Sequence, residues 1–210
     1  MAGVGKFQRY VHPSAGWNLA TADGFEGEPM TARVRIMTLM NTEDASVQAL
    51  YFEDDGATPN SRFPVLFYRL KLDPSGDNAS AFEALFAAHQ WTPLWRDGIF
   101  DYHHFHPNAH EALGIACGHA RLTLGGELGQ SVSVERGDVL VLPAGTGHRC
   151  IECSDEFLVV GAYPYGQENY DIQRPDRAAH PRAVARIAKV TLPQQDPVGG
   201  MRGALMTHWR

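Results

Sequence analysis

The sequence predicts an all-β protein that folds as a sandwich or a barrel. Apolar and polar residues alternate within 113–117, 120–124 and 132–134, which is the period of half-buried strands. Glycines separate these runs, and the chain as a whole has 21 glycines and 13 prolines among 210 residues. Both residue types favour turns. Short strands joined at such close spacing are typical of antiparallel sandwiches and barrels.

The length and the pattern predict one domain with an N-terminal extension. A chain of 210 residues suits a single core. Residues 1–42 are rich in glycine and weakly patterned, so we expect them either to add an edge strand or to stay loose. Residues 43–210 are expected to form the domain, including a polar C-terminal segment after Tyr165.

One α-helix is predicted near 79–90, packed outside the strands. Ser80 and Glu83 have the spacing of a capping box at its start. Four side chains then fall on one helical face: Phe82, Leu85, Phe86 and His89. Trp91 and Pro93 are expected to end the helix. Further strands are predicted at 47–52, at 64–72 and, late in the chain, at 187–192.

Histidine is the unusual feature of the composition. The chain has ten histidines, and the segment His104-Phe105-His106 contains two of them at alternate positions. On a strand, alternate side chains point to the same side, so both imidazoles can reach one metal ion. A third candidate ligand, His148, follows a tight glycine turn at 143–147.

The fourth candidate is either His110 or Glu111. By strict alternation His110 continues the phase of His104 and His106, but Pro107 interrupts the strand and makes that alternation unreliable. Three imidazoles with a carboxylate would form a nitrogen and oxygen site. Such a site suits Fe(II), Mn(II), Ni(II), Co(II) or Zn(II) and leaves coordination positions open for substrate, water or dioxygen.

These residues reproduce two known motifs in the right order. Gly98-x5-His104-x-His106-x4-Glu111-x6-Gly118 resembles the first cupin motif, and Gly137-x5-Pro143-x-Gly145-x2-His148 resembles the second. The stretches PVLFYR, WRDGIFDYHHFHPNAHE, LPAGTGHRC and VVGAYPYG are similar to the YjlB-type single-domain cupins. The resemblance covers roughly residues 47–209, so it leaves the extension outside.

The resemblance implies a cupin β-barrel with one divalent metal in its mouth. It selects His104, His106, Glu111 and His148 as the ligands, and it leaves His110 as a candidate acid or base of the pocket. His103 is expected to point away from the barrel. Cys150 is expected to be a small buried residue, and for Cys153 the sequence predicts no role. Tyr102, Tyr163 and Tyr165 are expected to serve in aromatic packing rather than to line the pocket.

Two classes of function follow from such a site. The first is a metal-dependent enzyme acting on a small organic substrate, with a dioxygenase as the first choice and an isomerase or decarboxylase as the alternative. The second is a non-catalytic cupin that binds or senses a small molecule. The resemblance gives a site and no substrate.

The charge and the hydropathy of the chain exclude several classes of partner. The net charge of −6 provides no general attraction to nucleic acids or anionic membranes, and no apolar run approaches the length of a membrane span. Three cysteines are too few for a disulfide-stapled domain. We therefore expect a cytoplasmic protein that binds a small molecule, and the resemblance suggests a homodimer.

Overall fold

The computed structural model describes residues 40–72 and 76–210. Nine strands and three helices follow one another in this part of the chain: β1 Met40–Phe52, β2 Ser61–Leu72, α1 Asn78–Ala88, β3 Trp91–Asp97, β4 Glu111–Cys117, β5 His119–Leu124, β6 Gln130–Glu135, β7 Asp138–Leu142, β8 His148–Cys153, β9 Leu158–Pro164, α2 His180–Ile187 and α3 Leu205–His208. The prediction of an all-β fold is confirmed. The N-terminal extension stays a prediction, since 1–39 lie outside the described residues.

The strands form two antiparallel sheets that face each other. The larger has the order β1-β2-β7-β4-β9-β3, and the smaller has the order β6-β5-β8. Apolar side chains from both sheets form one core, for example Leu113 and Leu140 from the larger and Leu122 from the smaller. Strands β4 and β7 are buried along almost their whole length, because the other face of the larger sheet is also covered.

Helix α1 covers part of that outer face. Phe82 and Phe86 are fully buried there, as the helical pattern predicts. A Cβ at Gly114 would lie 2.7 Å from Cγ of Phe82, so this glycine of β4 allows the close approach of the helix. The capping-box prediction is wrong: Asp77 caps the helix by accepting from the backbone N–H of Ser80 at 3.1 Å. The actual cap, Asp77, therefore lies three residues before Ser80, the expected cap.

The structure differs from the prediction in two segments, one before strand β4 and one after strand β9. Trp91 and Pro93 do not simply end the helix, because they belong to strand β3. Strand β3 lies at the edge of the larger sheet, where proline costs no ladder hydrogen bond on its free side. The predicted strand at 187–192 is wrong. Helix α2, His180–Ile187, ends where that strand was expected to begin, and residues 188–192 form a turn and irregular structure. Pro181 lies in the first turn of α2, where its missing N–H is harmless.

The C-terminal segment is fastened to the larger sheet by a buried carboxylate. Asp196 is fully buried, and its Oδ1 accepts from the backbone N–H groups of Val198 at 2.7 Å and Gly199 at 2.8 Å. Its Oδ2 accepts from the N–H of Leu205 at 2.9 Å and from the hydroxyl of Tyr68 in β2. This one side chain thus orders the start of α3 and joins it to the sheet. No helix in the described ranges is long and apolar enough to span a membrane.

We expect Asp196→Asn to destabilise the protein. The amide nitrogen cannot accept a hydrogen bond, so at least one buried N–H or O–H loses its partner, and the free energy of unfolding should fall by roughly 2–4 kcal/mol. Denaturant unfolding measures the change. Asp155→Asn in an exposed turn is the matched control and should leave the midpoint unchanged. Equal midpoints for both variants would contradict the anchoring role.

Candidate metal centre

Two of the predicted ligands are brought together by backbone pairing. The N–H of His104 donates to the carbonyl of His148 at 3.1 Å, and the N–H of His148 donates to the carbonyl of His104 at 2.9 Å. Residues that exchange hydrogen bonds in this way have their side chains on the same face. Their ring centroids are accordingly only 4.0 Å apart.

His106, two residues after His104, lies beside these two histidines. Its ring centroid lies 5.9 Å from that of His104 and 5.8 Å from that of His148. One potential ligand atom from each ring lies within 4.8 Å of the other two, and all three side chains are buried. These distances agree with the prediction, made from strand alternation, that the side chains of His104 and His106 point to the same side.

Backbone carbonyls fix the tautomer of all three rings. The Nδ1 atoms of His104, His106 and His148 lie 3.1, 2.7 and 3.1 Å from the carbonyl oxygens of Tyr102, Asp171 and Thr146, respectively. A carbonyl can only accept, so each Nδ1 must carry the proton. When neutral, each ring offers the lone pair of Nε2, which is the arrangement of histidines that ligate metals.

Glu111 adds a carboxylate beside the three imidazoles. It is the first residue of β4 and is 2% exposed. Its Oε1 lies 3.2 Å from Nε2 of His106, and its Oε2 lies 3.4 Å from Nε2 of His148. The hydroxyl of Tyr163 donates to Oε1 at 2.5 Å, whereas Oε2 is buried and has no hydrogen-bond partner among the described residues.

The four groups set one another's protonation. Burial alone would raise the pKa of Glu111, but His106 outweighs it and lowers that pKa to about 2. Burial would likewise lower the pKa of His106, yet the Glu111 carboxylate holds it above its usual value. Burial and the neighbouring His148 lower the pKa of His104 to about 3, and burial also lowers that of His148. These directions of pKa favour an ion pair between the Glu111 carboxylate and a protonated His106.

The donor set fits a divalent transition metal. Three imidazole nitrogens and one carboxylate oxygen suit such ions better than they suit soft Cu(I) or hard Ca(II). Oε2 of Glu111, which has no hydrogen-bond partner among the described residues, also indicates a cation site. A buried carboxylate oxygen is normally satisfied by a hydrogen-bond donor or by a cation.

His110 lies outside this cluster. Its Nδ1 accepts from the backbone N–H of Ala144 at 3.0 Å, and its ring lies 4.8 Å from that of Trp209. Burial lowers the pKa of His110 to about 3, and its Nε2 has no partner of good hydrogen-bond geometry among the described residues. The turn at Pro107 shifts the alternation, so that Glu111 faces the imidazoles and His110 does not. A catalytic role for His110 stays a prediction.

The remaining residues singled out in the sequence have other surroundings. Nε2 of His103 lies 3.4 Å from a carboxylate oxygen of Glu127. Cys150 belongs to the core between the sheets, where burial raises the pKa of its thiol to about 12. Cys153 is exposed, and Tyr165 is largely exposed as well.

Two tyrosines at the centre were not predicted to be part of it. Tyr163 stacks on Tyr170 with ring centroids 4.0 Å apart, and both rings meet the edge of His106. Tyr163 belongs to strand β9, which is buried from Val159 to Pro164. The apolar run VVGAYPYG, which contains Tyr163, is the signal that the sequence offers for it. No comparable signal exists for Tyr170, which lies in an irregular, polar segment.

Comparison with known proteins identifies the family. No family model matches the chain. The chain is 35% identical to the protein YjlB of Bacillus subtilis (strain 168) over 167 residues, which are 79% of this chain and 98% of YjlB. It belongs to the YjlB family. The resemblance to YjlB-type cupins that the two motifs indicated is thus confirmed.

Several solved structures are similar to parts of this chain. A DUF861 family protein from Thermotoga maritima is 19% identical and matches 38% of this chain and 84% of its own, with a TM-score of 0.29. A protein with a double-stranded β-helix domain from Klebsiella pneumoniae is 14% identical over 56% of this chain and 81% of its own, with a TM-score of 0.30. Oxalate decarboxylase of Bacillus subtilis is 18% identical over 62% of this chain and 27% of its own, with a TM-score of 0.29.

Proposed function

We propose that this YjlB-family cupin binds one divalent transition metal ion through His104, His106, Glu111 and His148, and uses it as an enzyme on a small organic substrate. The observation that carries the proposal is the cluster of three buried histidines, whose potential ligand atoms lie within 4.8 Å of one another, beside the Glu111 carboxylate. Oε2 of that carboxylate has no hydrogen-bond partner among the described residues. Fe(II), Mn(II), Ni(II), Co(II) and Zn(II) are the candidate ions.

The expected chemistry follows from the number of protein ligands. Four protein ligands would leave two positions of a six-coordinate ion open. An ion held in this way would supply a Lewis acid and would allow dioxygen to be activated. A dioxygenase is therefore our first proposal, and an isomerase or decarboxylase is the alternative.

The protein's own groups orient the carboxylate. Tyr163 donates to Oε1 of Glu111 and itself accepts from the indole N–H of Trp95 at 3.1 Å, so Oε2 is left facing the imidazoles. Burial and the charge of Glu111 raise the pKa of Tyr163, which therefore remains a donor and does not act as a base. We infer that Tyr163 positions the ligand rather than moving a proton.

Oxygen uptake and turnover test the enzymatic proposal. Freshly purified protein is analysed for metals, loaded with the metal found, and screened against classes of small organic acids, alcohols and aldehydes with oxygen consumption recorded. We expect turnover that is lost in His106→Ala, with His103→Ala as the matched control outside the cluster. Stoichiometric metal without turnover of any class would favour the non-catalytic binding or sensing function instead.

Glu111 rather than His110 should be the fourth ligand. Glu111→Gln keeps the shape but removes the charge, so metal affinity should fall about 10-fold or more. His110→Ala should retain the metal, because the contacts of His110 are with Ala144 and Trp209. Competition with a chromophoric chelator measures both affinities. Loss of metal in the His110 variant with retention in the Glu111 variant would reverse the assignment.

Metal binding should release a proton from His106. The Glu111 carboxylate raises the pKa of His106, so its Nε2 holds a proton that an ion must displace. Affinity should therefore fall as pH drops through that raised pKa and level off above it. Calorimetry in buffers of different ionisation enthalpy, at about pH 6 and about pH 9, measures the protons released. In Glu111→Gln the pH dependence should move to lower pH; an unchanged dependence would contradict the pairing.

A further inference from the structure

Two extended segments outside the main sheets run antiparallel beside the metal centre. The N–H of Phe105 donates to the carbonyl of Gln173 at 2.9 Å, and the N–H of Gln173 donates back to the carbonyl of Phe105 at 2.9 Å. Phe105 and Gln173 are therefore directly opposite each other. By the same register, Arg174 is opposite His104 and Ile172 is opposite His106.

This register decides which way Arg174 points. Successive side chains alternate between the two faces of a strand pair, and opposite residues share a face. Phe105 and Gln173 share one face, so His104 and Arg174 share the other. Arg174 thus lies on the face that carries the imidazoles of the metal centre, with His104 between it and His148.

A row of aromatic rings leads along this face to the ligands. Phe100 stacks on Tyr102 with ring centroids 4.8 Å apart, and both meet the edge of the His104 ring at 5.1 and 5.7 Å. Phe100 is 40% exposed, whereas His104 is buried. The row therefore extends from solvent to the metal centre.

Arg174 is the cation on this row. Its guanidinium carbon lies 3.9 Å from the centre of the Tyr102 ring, which holds the planar group in place. Arg96, Arg121 and Arg186 each form a salt bridge with a carboxylate, but Arg174 forms none with the described residues. Its exposed donors are free to bind an anion.

We propose that Arg174 selects organic acids as ligands beside the metal centre, by binding a substrate carboxylate while the substrate's apolar body lies along the edge of the aromatic row. A guanidinium matches a carboxylate with two parallel hydrogen bonds. A single guanidinium favours a monoanion over a phosphate, which would require more donors. This inference rests on the proposed function, since it assigns a substrate class to the same metal centre.

Calorimetry with matched acids and amides tests the proposal. The protein is loaded with Co(II), its metal content is measured, and it is titrated with mandelate, benzoate and 3-phenylpropanoate and with the corresponding neutral amides. At least one acid should bind more tightly than its amide, and Arg174→Gln should weaken that acid about tenfold or more while leaving the amide unchanged. Arg174→Lys should restore part of the difference. Arg182→Gln, at an exposed position of α2, is the control for loss of one positive charge.

The outcomes separate this inference from the metal proposal. Failure of the protein to bind Co(II) would overturn the proposed function, and the same titrations on the metal-free protein would then still decide the role of Arg174. Stoichiometric Co(II) with equal affinities of Arg174→Gln and the unchanged protein for every acid would overturn the role of Arg174 alone. Equal weakening of acids and amides would show a structural role and would also overturn it.

Discussion

The pairing of His104 with His148 is the contact on which the metal centre depends. The two residues belong to segments more than forty positions apart, and their reciprocal hydrogen bonds of 3.1 and 2.9 Å fix the imidazoles on one face. His106 then follows by alternation, and the next residue pair, Phe105 with Gln173, brings the C-terminal segment to the opposite side. If the register moved by one residue, every side chain would turn to the other face and the cluster would be lost.

The turn before His148 is held in place by a buried asparagine. Asn60 has a φ of 51°, a left-handed conformation that asparagine tolerates better than most residues. Its side-chain amide donates to the carbonyls of Glu53 and Gly125 at 2.6 and 3.0 Å and accepts from the N–H of Gly147 at 3.2 Å. The turn is also tied to the first motif, since the N–H of Gly145 donates to the carbonyl of His106 at 2.9 Å. Asn60 thus connects the loop after β1 to the ligands.

Local patterns in the sequence predicted most of the strands and the first half of the site. Alternation correctly placed His104 and His106 together, and it failed at His110 because Pro107 breaks the strand there. Family resemblance, not periodicity, selected Glu111. The features that were missed depend on contacts between distant segments: Asp77 as a cap, Asp196 as an anchor, and Arg174 beside His104. Such contacts leave no period in the chain, so the sequence alone could not place them.

The comparison of His110 with the three clustered histidines shows what separates a candidate ligand from a structural histidine in this fold. All four are buried, so burial does not distinguish them. The difference lies at Nδ1. In the cluster Nδ1 faces a carbonyl and must carry the proton, which leaves Nε2 as the electron-pair donor, whereas Nδ1 of His110 accepts from Ala144 and its Nε2 must carry the proton instead. The backbone group that faces Nδ1 therefore determines which ring nitrogen is available to an ion. A carbonyl at Nδ1 leaves Nε2 available, whereas an N–H at Nδ1 does not.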